Sequence, residues 1–322
     1  MLLPRALIAA IPLALMAMTL HAQTFPSRPI TIVVAGAAGG PSDTITRITA
    51  EALGRHFNSP VVVESIGGST PGPLRVSQAR PDGYTLLINN IGMAASVTLY
   101  RRLPYNPLTS FAPLGLISDA AMTLVTRPDF PAEDMRSVMT TLTARGEELN
   151  FATAGLGSAS NLCALVVQGA AGARATIVGF RGTAPAIAEV MAGRVDLLCD
   201  QATNTAPFIR DGRVRAVAIS SATRLEGLPN VPTAAEAGFP SISMSTWHAL
   251  YAPAGTPEAI QERLSAALRA ALADPALRRR FADLLTDVAT EERASIAFHR
   301  RFLAEEVTRW RPIIEAAGAF AD

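Results

Sequence analysis

Short β-branched runs alternate along this chain with segments whose apolar residues fall on one helical face. Ile30–Ala35 (ITIVVA) reads as a strand, and residues 42–57 follow as a helix with Ile45, Ile48, Ala52 and Leu53 in a stripe. Val61–Val63 and Tyr84–Ile88 are the next strands. The order strand, helix, strand, helix, strand predicts a mostly parallel sheet covered by helices, with right-handed crossovers. A second block repeats the style, with strands at Met122–Thr126, Asn150–Ala154, Ala175–Val178, Val195–Cys199 and Val214–Ile219 and helices at Asn161–Ala170 and Ala184–Met191. Thr246–Tyr251 is a candidate last strand. The final third is helical. Thr256-Pro257 and Asp274-Pro275 each place a cap residue before a proline, which suits a first helical turn. A last helix carries Leu303, Val307, Trp310 and Ile314 on one face, with Pro312 expected to strain or kink it.

The start of the chain breaks this pattern. Arg5 is followed by an apolar run from Ala6 to Leu20 and a small residue at Ala22. This reads as a secretory signal peptide over residues 1–22, cleaved near Ala22–Gln23, with an uncleaved anchor as the competing reading. The mature chain is then expected in the periplasm. No later stretch approaches the ~20 apolar residues of a spanning helix.

Composition narrows the classes. Apolar residues make up 49% and charged ones 17%, which is globular and not disordered. A formal net charge of +1 gives no broad field for nucleic acid, so no nucleic-acid partner is expected. Cys163 and Cys199, with His56, His248 and His299, lack zinc-type spacing, and neither a metal nor a cofactor is expected. Export would permit a disulfide. The two cysteines are nevertheless expected to be buried, free and small-hydrophobic in behaviour.

Candidate chemistry sits in loops that follow strands, where ligands of open α/β sheets bind. The first holds Ala37, Ala38, Gly39, Gly40, Ser42 and Asp43, with glycines that admit close backbone approach and a helix start whose free N–H groups suit an anion. Ser42 or Asp43 would cap that helix. The second holds Asn90, Ile91 and Gly92. The third holds Gly157, Ser158, Ala159 and Ser160, an expected anion nest of hydroxyls and amides. It approaches a dinucleotide fingerprint, but Ser160 replaces the last glycine and no ribose-binding acid follows. Arg181 and Thr183 end another strand and open a helix, Asp200 ends a buried strand, and His248 lies beside Trp247. A plain turn, a solvent-facing Arg and a core His remain the competing readings. No Gly-x-Ser-x-Gly elbow or recognisable nucleophile accompanies the histidines, so the chain reads as no enzyme.

Motifs in order give the chain a family likeness. They are PSRPI at 26–30, Gly39-Gly40-x-x-Asp43, PDGYT at 81–85, LPY at 103–105, GFRGT at 179–183, LPNVPT at 228–233 and APAGTP at 252–257. From about Pro26 to Gly318 the sequence resembles the solute-binding proteins of tripartite tricarboxylate transporters, the Bordetella uptake gene proteins. Asn90–Met93, Cys199–Asn204 and Trp247-His248 look like a subgroup with terephthalate-binding members. The resemblance implies a two-lobed periplasmic-binding-protein fold of type II style, each lobe a mixed, mostly parallel sheet flanked by helices, hinged by crossover strands. The lobes would be residues 23–123 with 247–322, and 124–246. It further implies a small carboxylate, aromatic or aliphatic, held by loop amides, hydroxyls and water. The partners would be the transporter's membrane subunits, with the receptor itself a monomer; a ligand-dependent signalling role stays open. Two departures stand out. Ala37–Ser42 replaces the family's usual Pro-Pro-Gly-Gly-Gly run, and Ser65–Gly72 lacks its usual Arg.

Overall fold

The computed structural model describes residues 25–321; the expected signal peptide lies outside them. Among these residues one continuous sheet runs in the order β2-β1-β3-β9-β4-β7-β5-β6. Its strands are β1 (Ile30–Ala35), β2 (Val61–Ile66), β3 (Thr85–Asn90), β4 (Phe111–Thr126), β5 (Asn150–Thr153), β6 (Thr176–Gly179), β7 (Leu197–Gln201), β8 (Arg215–Ile219), β9 (Ser245–Pro253) and β10 (Thr286–Val288). Strands β2, β1 and β3 pair in parallel at one end, and β7, β5 and β6 at the other. Between them lie the antiparallel β9 and β4.

Strand β4 spans both halves. Phe111–Ala121 pairs with β9, and Met122–Thr126 pairs with β7 and β8. Only the second half was expected as a strand. Pro113, Gly115 and Asp119 break the β-branched signal in the first half. Gly115 is required there, because the Ala294 carbonyl approaches where a Cβ would stand. The register shifts on either side of it.

Helices α1 (Pro41–Phe57), α2 (Pro71–Ser77) and α3 (Gly92–Leu99) follow the first three strands. Helices α4 (Met135–Arg145), α5 (Ala159–Ala171), α6 (Thr183–Met191) and α7 (Ala202–Arg210) belong to the second block. Helices α8 (Glu258–Ala273), α9 (Pro275–Asp283) and α10 (Ile296–Ala317) close the chain, and α8 and α9 pack back on α1. Asp274 accepts from Ala276 N, as the proline-linked start predicts, but α8 departs from it: Pro257 is itself the N-cap and Thr256 does not cap the helix. Helix α10 runs unbroken through Pro312 and packs on α3, β4 and α5. The buried Glu306 fixes it, accepting from Trp247 Nε1 at 2.8 Å and from Trp310 Nε1 at 3.2 Å.

The cysteines correct an expectation. Cys163 of α5 and Cys199 of β7 are both buried, but they form a disulfide with Cα atoms 5.9 Å apart. Strand β7 runs beneath α5, so two residues 36 apart in sequence meet across one layer of packing.

Candidate functional site

The C-terminal ends of β1, β3, β5, β6 and β7 open onto one cavity of about 630 Å³. Of the residues singled out from the sequence, Ala37, Gly40, Ser42, Asn90, Gly92, Gly157, Ser158, Ala159, Ser160, Arg181, Thr183 and Asp200 line it. Ala38, Gly39, Asp43, Ile91 and His248 do not. The loop after β2, Gly67–Pro71, lines it too, and so does Tyr100 at the end of α3. Sequence reasoning passed over both. Gly67-Gly68-Ser69-Thr70-Pro71 nevertheless carries the glycine-rich strand-to-helix signal used for the other loops.

Residues outside the lining brace those within it. Neither Ser42 nor Asp43 caps α1; its N-cap is Gly40, without a side-chain cap. Asp43 instead accepts from Gly39 N at 2.9 Å, from Arg47 Nε at 2.9 Å and from Ser65 Oγ at 2.5 Å. Burial opposes its charge, but these three donors outweigh it and hold the carboxyl below its ordinary range. His248 is fully buried behind Ser42, with Nε2 3.1 Å from Ser42 Oγ and Nδ1 3.1 Å from Ser118 Oγ. Burial without a charged partner pushes it down to about 3, so it is neutral and orients Ser42. Asn90 completes the chain, donating from Nδ2 to Ser42 Oγ at 3.1 Å and accepting from Gly92 N at 2.9 Å.

The serines of the third loop behave differently from the expected nest. Ser158 Oγ donates to the Gly155 carbonyl at 2.6 Å and accepts from Asn161 N at 3.2 Å, which caps α5. Ser160 is buried, and its Oγ accepts from Ala154 N at 2.7 Å. Both hydroxyls are committed to shaping the loop. What remains for a ligand are backbone N–H groups of first helical turns, which have no acceptor inside their helices. Among the lining residues they belong to Ser42 in α1, Ala159 and Ser160 in α5, and Thr183 in α6. The positive ends of three helix dipoles thus meet at one cavity.

The opposing walls touch at both margins. Ser69 Oγ and Tyr100 OH donate to the Leu156 carbonyl at 2.8 and 3.3 Å. On the other margin, a Cβ added to Gly182 would stand 2.7 Å from Ala37 Cβ. Gly92 faces Gly157 so closely that a Cβ on Gly92 would lie 2.6 Å from the Gly157 carbonyl oxygen.

Residues 45–319 match the model of the tripartite tricarboxylate transporter family receptor. The chain belongs to that family. A relative in Agrobacterium vitis, the UPF0065 protein in the TAR-I ttuE-ttuC' intergenic region, is 40% identical over 92% of this chain and 86% of its own. Among solved structures, the periplasmic binding protein BugD is 35% identical with a TM-score of 0.88, covering 92% of this chain and 100% of its own. MatC from Rhodopseudomonas palustris, solved with bound malate, is 35% identical with a TM-score of 0.86, covering 90% and 100%. These neighbours establish the periplasmic-binding-protein fold, with its mixed sheet and flanking helices, as the resemblance implied. Family and neighbours are binding proteins, so this receptor is no enzyme.

Proposed function

We propose that this receptor captures a small carboxylate in the periplasm and delivers it to the membrane subunits of a tripartite tricarboxylate-type transporter. The observation that carries the reading is the convergence of helix-start amides from α1, α5 and α6 on one cavity. Preorganised N–H groups suit an anion and need little reorganisation. The malate in MatC supports the same class. The ligand is an aromatic or aliphatic mono- or dicarboxylate; the terephthalate likeness adds an aromatic candidate. Capture works by closure of two lobes divided near Thr123 and Trp247. Strand β4 changes partners at Ala121–Met122 and β9 starts at Ser245, which supports hinge strands at those points. Ligand contacts made to both walls favour the closed arrangement by their differential affinity. The receptor acts as a monomer, after removal of residues 1–22.

A thermal-shift screen of carboxylates on the mature protein tests this. A ligand at 100 times its dissociation constant adds about 2.7 kcal/mol to stability. Stabilisation by uncharged sugars or cations, with none by any carboxylate, would reject the class.

A further inference from the structure

Five buried side-chain polar atoms among the described residues lack a hydrogen-bond partner. Three of them, Thr183 Oγ1, Asp200 Oδ1 and Gln201 Oε1, belong to residues that line the cavity. Leaving a buried polar group unpaired costs its desolvation outright, so native structures rarely tolerate it without a reason.

Asp200 is the informative member, because an ionised carboxylate is acceptor-only while a hydroxyl turns to suit its partner. Its residue is 1% exposed. Oδ2 takes a hydrogen bond from Asn204 Nδ2 at 2.8 Å, which leaves Oδ1 with none. The backbone behind it is held firmly. Thr123 Oγ1 donates to the Asp200 carbonyl at 3.1 Å, and the preceding Cys199 is tied to α5 through the disulfide. Arg181 is the other charged side chain among the lining residues, and it is exposed. Most of this cavity offers donors, namely the helix-start amides. The corner at the end of β7 offers acceptors.

We propose that Asp200, with Gln201 beside it, selects among small carboxylates those that also carry a hydrogen-bond donor, a hydroxyl or an ammonium group. This deepens the carboxylate reading and rests on it. The acid end of the ligand faces the amides of α1, α5 and α6. Its donor faces Asp200 Oδ1, where a second bare carboxylate would be repelled. A site built around an unpaired acceptor discriminates strongly, because an analogue without the donor leaves that acceptor buried and alone. Burial already holds the Asp200 carboxyl up at about 7, against smaller opposing contributions from the Gln201 amide and Asn204. The ligand-free site therefore ionises only near neutral pH, and a ligand donor at Oδ1 favours the charged form.

Isothermal titration with matched acids, at a pH about one unit above the Asp200 value so that its carboxyl is ionised, tests the proposal. The sets are succinate, malate and aspartate; glutarate, 2-hydroxyglutarate and glutamate; benzoate and 4-hydroxybenzoate. In at least one set the donor-bearing member is expected to bind about tenfold tighter or more. That ratio should shrink to within about threefold in Asp200→Ala and fall most of the way in the near-isosteric Asp200→Asn, the fallback should the alanine variant not fold. If in every set that binds the acid without a donor binds as tightly as its hydroxy and amino analogues, the inference is overturned and the carboxylate reading stands. A ratio unchanged in Asp200→Asn has the same consequence. Binding of no acid at all removes both.

Discussion

Asp200 makes the stability of the ligand-free receptor depend on pH in an unusual direction. Burial raises its carboxyl from 3.8 to about 7. The folded chain therefore keeps a proton that the unfolded chain has lost. Between pH 4 and 7 the folded state binds more protons, so stability falls as pH rises, by about 1.4 kcal/mol per unit. Over the whole interval the loss is about 4 kcal/mol. His248 and His299 act in the opposite sense. Burial holds both at about 3. Their contribution is complete above the unfolded value near 6.5 and is lost as pH falls towards 3, which masks the Asp200 effect in the wild type. Subtracting two urea-unfolding series, wild type and Asp200→Asn, at constant ionic strength removes the histidines. The variant's advantage is expected to grow by about 3 kcal/mol from pH 4.5 to 7 and then level off. A difference that stays flat across that range refutes the reasoning, because it would mean that Asp200 ionises as easily in the fold as out of it.

Gly92→Ala places a methyl against the Gly157 carbonyl across the cavity. Overpacking of this kind costs about 1–3 kcal/mol, and here only when the walls meet. Carboxylate affinity measured by titration should fall by roughly five- to hundredfold while the ligand-free melting temperature holds; unchanged affinity would reject wall-to-wall closure. Glu306→Ala strands the indole N–H groups of Trp247 and Trp310, so urea unfolding should show a loss of about 2–5 kcal/mol. A loss below 1 kcal/mol, on that same scale, would mean that water replaces the carboxylate easily. Reduction of Cys163–Cys199 opens a loop of 36 residues and should lower stability by about 4 kcal/mol on the chain-entropy estimate. Equal midpoints with and without reductant would contradict it.

Much of the architecture was legible because parallel strands and amphipathic helices write strong periodic patterns. Strand β1 occupies the residues read for it, and α1 starts one residue earlier than expected. The loops after β1, β3 and β5 were found for a physical reason: glycines and small residues before a helix mark backbone that a ligand can approach. The loop after β2 carries the same mark at Gly67-Gly68, but the polar pair Glu64-Ser65 hides the end of the strand before it. Other failures come from information that is not local. The disulfide depends on the tertiary distance between α5 and β7. Ser158 and Ser160 look like ligand donors in sequence, yet both hydroxyls are consumed by neighbours within six residues. His248 sits one layer behind the wall, and alternation along β9 gives no hint that Ser42 is what it touches.

The disulfide also ties competence to place. It fastens α5, whose first turn offers amides to the cavity, to β7, the strand that carries Asp200. Bacterial cytosol keeps thiols reduced, whereas the periplasm oxidises them. A copy made and retained inside the cell is therefore a dithiol, with the floor under its pocket unstitched. On the proposed export, arrival in the periplasm and completion of the pocket become one event, and protein purified from cytosolic expression needs oxidation before its affinities are measured.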